Sequence, residues 1–328
     1  LGDVIHALPV LRRIKRHWSQ SRVYWWVDTR LVDLLRGDPD LESVIGFERR
    51  RWATPQNLVK LGCDIVWMRR QEFDFVLDLQ GLARSGAIAW LANARLSVGL
   101  DTPREGARGF YDVAVRRPTF HTHAVDWYLE TLKWIGVANS GSFEWLPERR
   151  EVAAAIRRKW DTVDGRLVLI QPGARWLDKR WPVAHYGRLV RALARSHPRH
   201  TFVLLGSGAD RELCREVAAA EPGRCLDLSG QLNLLELVEW IRRGELMITN
   251  DTGPMHIAAA LGRPIVALFG PTEPRRTGPY GQVSRVLQLD LPCVPCLRSR
   301  CRAARHMECL RSLDPALVHA FVAGQLSP

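Results

Sequence analysis

Apolar positions along the chain fall into two alternating rhythms. Val4, Leu8, Leu11, Ile14 and Trp18 recur at intervals of three and four residues, which predicts an amphipathic helix over 4–18. Pro9 lies early enough in that helix to be tolerated. Continuous apolar runs at 23–27, 73–79, 96–99 and 113–115 read as strands, and helical spacing returns near 30–36, within 55–70, over 83–91 and over 124–135. Residues 136–149 are polar, with Asn139, Ser140, Gly141, Ser142 and Pro147, and read as a linker. Beyond it the alternation restarts. Helices are predicted at 151–160, 183–196, 211–219 and 234–241, with strands at 167–170, 202–205, 246–249 and 265–268. Repeated βα units with wholly apolar strands predict an α/β protein of two Rossmann-like domains, 1–147 and 148–328, each with a parallel sheet covered on both faces. Two such domains facing one another would place ligands in a cleft at the carboxyl ends of the strands.

At 328 residues, with 46% hydrophobic and 25% charged positions, the chain can build two ordinary globular cores. No apolar run approaches the roughly 18 residues that span a bilayer. There is no signal-peptide pattern, so a cytoplasmic address is expected by default. The net charge of +12 favours acidic partners such as anionic lipid or phosphorylated sugar. The charge is scattered arginine with no zinc-finger or RNP signature, which weighs against nucleic acid. Among the cysteines, Cys63, Cys214 and Cys225 read as isolated buried thiols. Cys293, Cys296, Cys301 and Cys309 crowd together near His306 at a spacing that suits a structural zinc, a loop of reduced thiols, or one disulfide.

Three segments carry candidate chemistry. Asn250-Asp251-Thr252-Gly253-Pro254-Met255-His256 follows an apolar strand and opens a small-residue helix, so helix-start amides, Asp251 and His256 can converge on a sugar diphosphate. At the beginning, Gly2 permits a tight turn and Asp3 sits at a helix start, as a plain N-cap or as a carboxylate free for chemistry. After the strand at 167–170 comes Gln171-Pro172-Gly173-Ala174-Arg175-Trp176-Leu177-Asp178-Lys179-Arg180-Trp181-Pro182, in which Lys179 is a surface lysine or a phosphate ligand. Asp38-Pro39-Asp40 matches a metal-binding D-x-D as letters only and reads as a turn.

Taken together, these segments resemble glycosyltransferase family 9, the bacterial heptosyltransferases. The resemblance rests on Asp251-Thr252-Gly253-x-x-His256 with Gly270-Pro271-Thr272-x-Pro274, and on Gly2-Asp3-x-x-His6-x-x-Pro9. Asp78-x-Gln80-Gly81-Leu82-x-Arg84-Ser85, Arg104-Glu105 and Lys179-x-Trp181-Pro182 extend it. It implies a GT-B fold and an inverting transfer of heptose from ADP-heptose, with no catalytic metal or cofactor. By this resemblance Asp3 is the base and Lys179 stabilises the leaving diphosphate. Asp210 (Glu212 in reserve) would hold the ribose, and Leu232 would line the adenine pocket. Asp251, Thr252, Gly253 and His256 would hold the sugar and phosphates. Arg50, Arg51 (in an R-R-W run), Arg84 and Arg104 would meet an anionic lipid A acceptor bearing Kdo sugars. That pattern favours the first heptosyltransferase, peripheral to the cytoplasmic face of the inner membrane. The alternatives are the second heptosyltransferase or a relative with another acceptor. More distant ones are a sugar-nucleotide epimerase or hydrolase of the same fold and an inactive basic binding protein. Since the sequence opens inside a motif, the family's first strand is expected to lie upstream of Leu1.

Overall fold

In the computed structural model, which describes residues 1–48, 54–103, 105–161 and 165–326, the chain divides between Trp145 and Leu146. Leu1 and Asp3–Trp145 form one unit, and Leu146–Pro328 with Gly2 form the other.

Unit 1 begins with a helix over Gly2–His17, two residues earlier than its apolar spacing suggests. Pro9 therefore lies in mid-helix and not in the first turn. Its ring forgoes the bond to the carbonyl of Ile5, a cost the helix bears because Ile5, Leu8 and Leu11 are buried to within 3% of complete. Strand β1 (Tyr24–Asp28) pairs in parallel with β2 (Ser43–Phe47). Strands β3 (Phe75–Asp78), β4 (Leu96–Leu100) and β5 (Val113–Val115) form a second parallel sheet. The predicted linker is a fastened segment. Arg12 donates to the carbonyl of Trp145 at 3.0 Å, Arg16 to that of Ser142 at 2.8 Å, and Arg13 to that of Ser140. Arg12 also forks onto Asp38 at 2.5 and 2.6 Å and reaches Asp40 at 2.7 Å. The D-x-D letters are thus an internal ion cluster.

Unit 2 is built on six parallel strands: β6 (Arg166–Gln171), β7 (His200–Leu204), β8 (Cys225–Asp227), β9 (Leu246–Asn250), β10 (Ile265–Phe269) and β11 (Val286–Gln288). Their spatial order is β11-β10-β9-β6-β7-β8. The helix Val183–Ser196 buries Tyr186, Leu189, Val190 and Leu193, an i, i+3, i+4, i+7 stripe, against this sheet. Each of those side chains contributes about 1.5–3 kcal/mol by leaving water. From β6 the chain moves outward to β7 and β8, then returns to β6's other side with β9. The gap between the carboxyl ends of β6 and β9 is therefore the topological switch point, where loops diverge and leave a crevice. Among the described residues no helix is long and apolar enough to cross a membrane.

Candidate active site

Two loops meet at that switch point. Gln171 and Thr249 are register partners at the ends of β6 and β9. The fully buried Asn250 staples the loops that follow. Its Nδ2 donates to the carbonyl of Pro172 at 2.7 Å, and its Oδ1 accepts from the backbone of Trp181 at 3.0 Å. The staple fixes both ends of 172–181, so Lys179, at the end of a 3-10 turn over Leu177–Lys179, has a defined place. Lys179 Nζ lies 2.5 Å from Asp251 Oδ2 and 4.6 Å from the centre of the Trp176 ring. The buried Thr272, in the loop after β10, donates to the same Oδ2 at 2.6 Å.

The helix Gly253–Ala260 starts beside this cluster, with Pro254 in its first turn. Its cap is Thr252, so the N-cap reading of Asp251 gives way to a carboxylate engaged by Lys179. The first amides of the helix have no intrahelical acceptor and, with the dipole, suit a phosphate at Thr252 and Gly253. His256, three residues into that helix, is buried.

Asp210 sits on the far side of β6, at the start of the helix Arg211–Ala218. Both its oxygens accept hydrogen bonds. Oδ2 accepts from Ser207 N at 3.0 Å and Oγ at 2.7 Å, and Oδ1 from Arg180 at 3.3 Å. A Cβ on Gly173 would lie 2.5 Å from that carboxylate, so glycine is required for the loop to pass. Glu212, in contrast, is exposed, pairs with Arg215, and borders an open pocket shared with Asp227, Ser229 and Gln231. Leu232, next in the chain, is half-buried.

In unit 1, Asp3 is exposed in the first turn of the Gly2–His17 helix, whose cap is Leu1, so Asp3 is no N-cap. Its charge adds to burial in holding the Tyr128 hydroxyl protonated above its ordinary range. Arg84 is half-buried in the helix Ala83–Leu91 and has no ion pair with any described residue. Arg50, Arg51, Trp52 and Arg104 lie outside the described residues.

Cys293, Cys296, Cys301 and Cys309 line one pocket of about 150 Å³ together with Asp178 and Met307. All four thiols are free, and among the described residues no three cysteine, histidine or acidic side chains are arranged to hold a metal ion. Burial first, and the neighbouring thiols second, push Cys309 up to about 11. Asp178 accepts from the backbone of Cys301, which ties this segment to the residue before Lys179. Of the thiols read as isolated and buried, Cys214 is, Cys225 is half-buried, and Cys63 is exposed because it lies on the outer face of the helix Pro55–Arg70.

Asn250, Thr272 and Arg180 are absent from the sequence-derived site. All three act through contacts 21 to 78 positions distant, which no local pattern encodes. Only the Gly-Pro-Thr run around Thr272 gave a local signal.

At the switch point of this Rossmann-like unit an ammonium, a carboxylate and helix-start amides lie together, an arrangement chemically suited to a phosphorylated ligand. The model of glycosyltransferase family 9 (heptosyltransferase) matches residues 67–306. The chain is 28% identical to lipopolysaccharide heptosyltransferase 1 of Pseudomonas aeruginosa over 312 residues, covering 92% of this chain and 84% of that one. It is 32% identical to lipooligosaccharide heptosyltransferase 2 of Campylobacter jejuni over 331 residues, covering 97% and 94%. The structure of E. coli ADP-heptose lps heptosyltransferase II shares the fold with a TM-score of 0.76 at 22% identity, covering 99% of this chain and 95% of that one. The chain belongs to glycosyltransferase family 9, the heptosyltransferases, and is a glycosyltransferase with two Rossmann-like units of the GT-B type.

Proposed function

We propose that this enzyme transfers heptose from ADP-heptose, with inversion, to Kdo-lipid A in assembly of the lipopolysaccharide inner core. The observation that carries the reading is the Lys179–Asp251–Thr272 cluster beside the amides of the Gly253–Ala260 helix. An ammonium held there neutralises a leaving diphosphate, and an adjacent carboxylate can bind sugar hydroxyls. ADP-heptose is named for the E. coli structural relative, and lipopolysaccharide or lipooligosaccharide for all three relatives.

In this reaction Asp3 takes the proton of an acceptor hydroxyl. The freed oxygen bonds to the anomeric carbon as the bond from that carbon to the diphosphate breaks, and ADP leaves with the electron pair. Lys179, Thr252 and Gly253 meet the accumulating negative charge, and Asp251 and His256 hold the heptose. Leu232 borders the adenine. Asp210 holds the ribose through Oδ1, whose one hydrogen bond, from Arg180 at 3.3 Å, leaves room for a second donor, with Glu212 in reserve. Arg84, free of ion pairs with described residues, serves the acceptor with Arg50, Arg51 and Arg104. A lipid acceptor places the work at the cytoplasmic surface of the inner membrane. No step requires a metal.

The choice of the first heptose rests on the Arg50-Arg51-Trp52 and Arg104-Glu105 segments. The similarity to a heptosyltransferase 2 supports a second reading, addition of the next heptose. Mass spectrometry of Kdo-lipid A and of its monoheptosylated form, each incubated with enzyme and ADP-heptose, decides between them. A heptose gained by Kdo-lipid A supports the first reading, and a gain by the heptosylated lipid alone supports the second. Donor consumed with no product on either lipid would leave a hydrolase or epimerase. Asp3→Ala should abolish transfer while ADP-heptose still binds, and near-normal turnover would remove Asp3 from the mechanism.

A further inference from the structure

Asp251 is held from one side only. Oδ2 accepts from Lys179 at 2.5 Å and from Thr272 at 2.6 Å, whereas Oδ1 makes no hydrogen bond with the described residues. The carboxylate side chain is 7% exposed, and Oδ1 is not among the buried polar atoms without a partner, so it is the oxygen open to solvent and able to meet a ligand hydroxyl. Thr272 is itself rigidly mounted. Gln288, the last residue of β11, donates through Nε2 to the carbonyls of Gly270 at 2.9 Å and Thr272 at 2.7 Å. Gln288 is in turn the register partner of Phe269 at the end of β10. The sheet therefore sets the place of the Thr272 hydroxyl, and that hydroxyl sets the rotation of the Asp251 carboxylate. Lys179, on a long flexible stem, cannot hold that rotation once a diphosphate competes for its ammonium.

We infer that Thr272 is a positioning residue for transfer: its hydroxyl anchors Oδ2 of Asp251 so that Oδ1 stays turned toward the sugar hydroxyls of the donor. The inference rests on the donor-site reading given above. ADP lacks the sugar, so the effect belongs to turnover and not to ADP binding.

The test compares Thr272→Val, which keeps the shape and removes the hydroxyl, with Thr272→Ser, which keeps the hydroxyl. Thr272→Val should lower kcat about tenfold or more, the size of a lost hydrogen bond to a charged group. Its Kd for ADP should stay within about twofold of the parent, as expected for an interaction made with the sugar and not with the nucleotide. Thr272→Ser should restore kcat. Unchanged kcat in Thr272→Val, or a Ser variant no better than Val at normal thermal stability, overturns the inference. If Thr272→Val does not fold, Thr272→Ala against Thr272→Ser replaces it, and equal losses in both overturn the inference. A parent enzyme that binds no ADP would instead remove the donor-site reading on which the inference stands.

Discussion

Replacing Lys179 with methionine keeps the length and the apolar stem and deletes the charge. In the structure that charge lies 2.5 Å from Asp251 and over the Trp176 ring, with the side chain 16% exposed. Loss of one preorganised donor from a developing anion costs about 10²–10³ in kcat, or ~2.7–4 kcal/mol. The lower end applies here, because Lys179 is already neutralised by Asp251. Only its preference for a diphosphate over a carboxylate counts toward catalysis. Lys179→Met should therefore reduce kcat about 100-fold. The same change leaves the buried Asp251 with Thr272 as its remaining donor, a penalty of about 1–3 kcal/mol to the fold. The two effects separate in the double variant Lys179→Met/Asp251→Asn. It removes the orphaned charge, so thermal stability should recover while the rate does not. Initial rates from mass-resolved product, with melting curves on the same samples, make the comparison. A single variant within about threefold of parental kcat would refute the leaving-group assignment, since an effect so small is under 1 kcal/mol.

Arg12→Leu strips the partner from the buried Asp38 and should destabilise unit 1 by about 3–5 kcal/mol, read as a lower first unfolding transition; an unmoved transition would show the ion cluster to be dispensable. Timed alkylation at pH 8 should label the exposed Cys63 and Cys293 well before Cys309, whose thiol is pushed up to about 11. Elemental analysis of the same protein tests the zinc reading of the four cysteines. One ion per chain with all four thiols protected would mean that the 150 Å³ pocket closes around it. Burial lowers the His185 pKa below its ordinary 6.5, so the neutral ring stabilises the fold fully above that value, and stability falls as pH drops through the lowered one. Thermal melts of His185→Gln should lose part of that acid slope, and an unaltered slope would assign it elsewhere.

The helices Ala83–Leu91 and Val183–Ser196 stand where their spacing predicts, because their apolar stripes face a sheet over several turns. β2, β8 and β11 were not legible. Each is an edge strand paired on one side only, and β8 and β11 are three residues long, too short for any alternation to register. The helix Pro315–Ala323 was readable in principle. Asp314 caps it by accepting from Ala316, and Pro315 fills its first turn. The N-terminal helix, predicted over 4–18 with Pro9 tolerated, runs over Gly2–His17: its first turn holds Gly2 and Asp3, which carry no apolar signal.

The site divides along the same line. Lys179, Asp251, Thr252 and Gly253 lie in segments just after β6 and β9 whose local letters carry them, and the structure brings Lys179 and Asp251 together beside the start of the Gly253–Ala260 helix. Asn250 and Thr272 hold that group in place through partners 21 to 78 positions away, so their parts exist only in the folded sheet. Charge shows the limit most clearly. A net +12 reads as appetite for acidic partners. Yet Arg12, Arg13 and Arg16 spend their donors on the 140–145 carbonyls or on Asp38 and Asp40, Arg180 on Ala174 and Asp210, and Arg242 on Leu146 and Glu239. Lys179 is the instructive case. Its ammonium is paired with Asp251, so under the proposed donor site a diphosphate would have to compete with that carboxylate. Net charge is therefore a poor guide to acidic partners in this chain, because a sum over the composition does not show which cations are already committed to internal contacts.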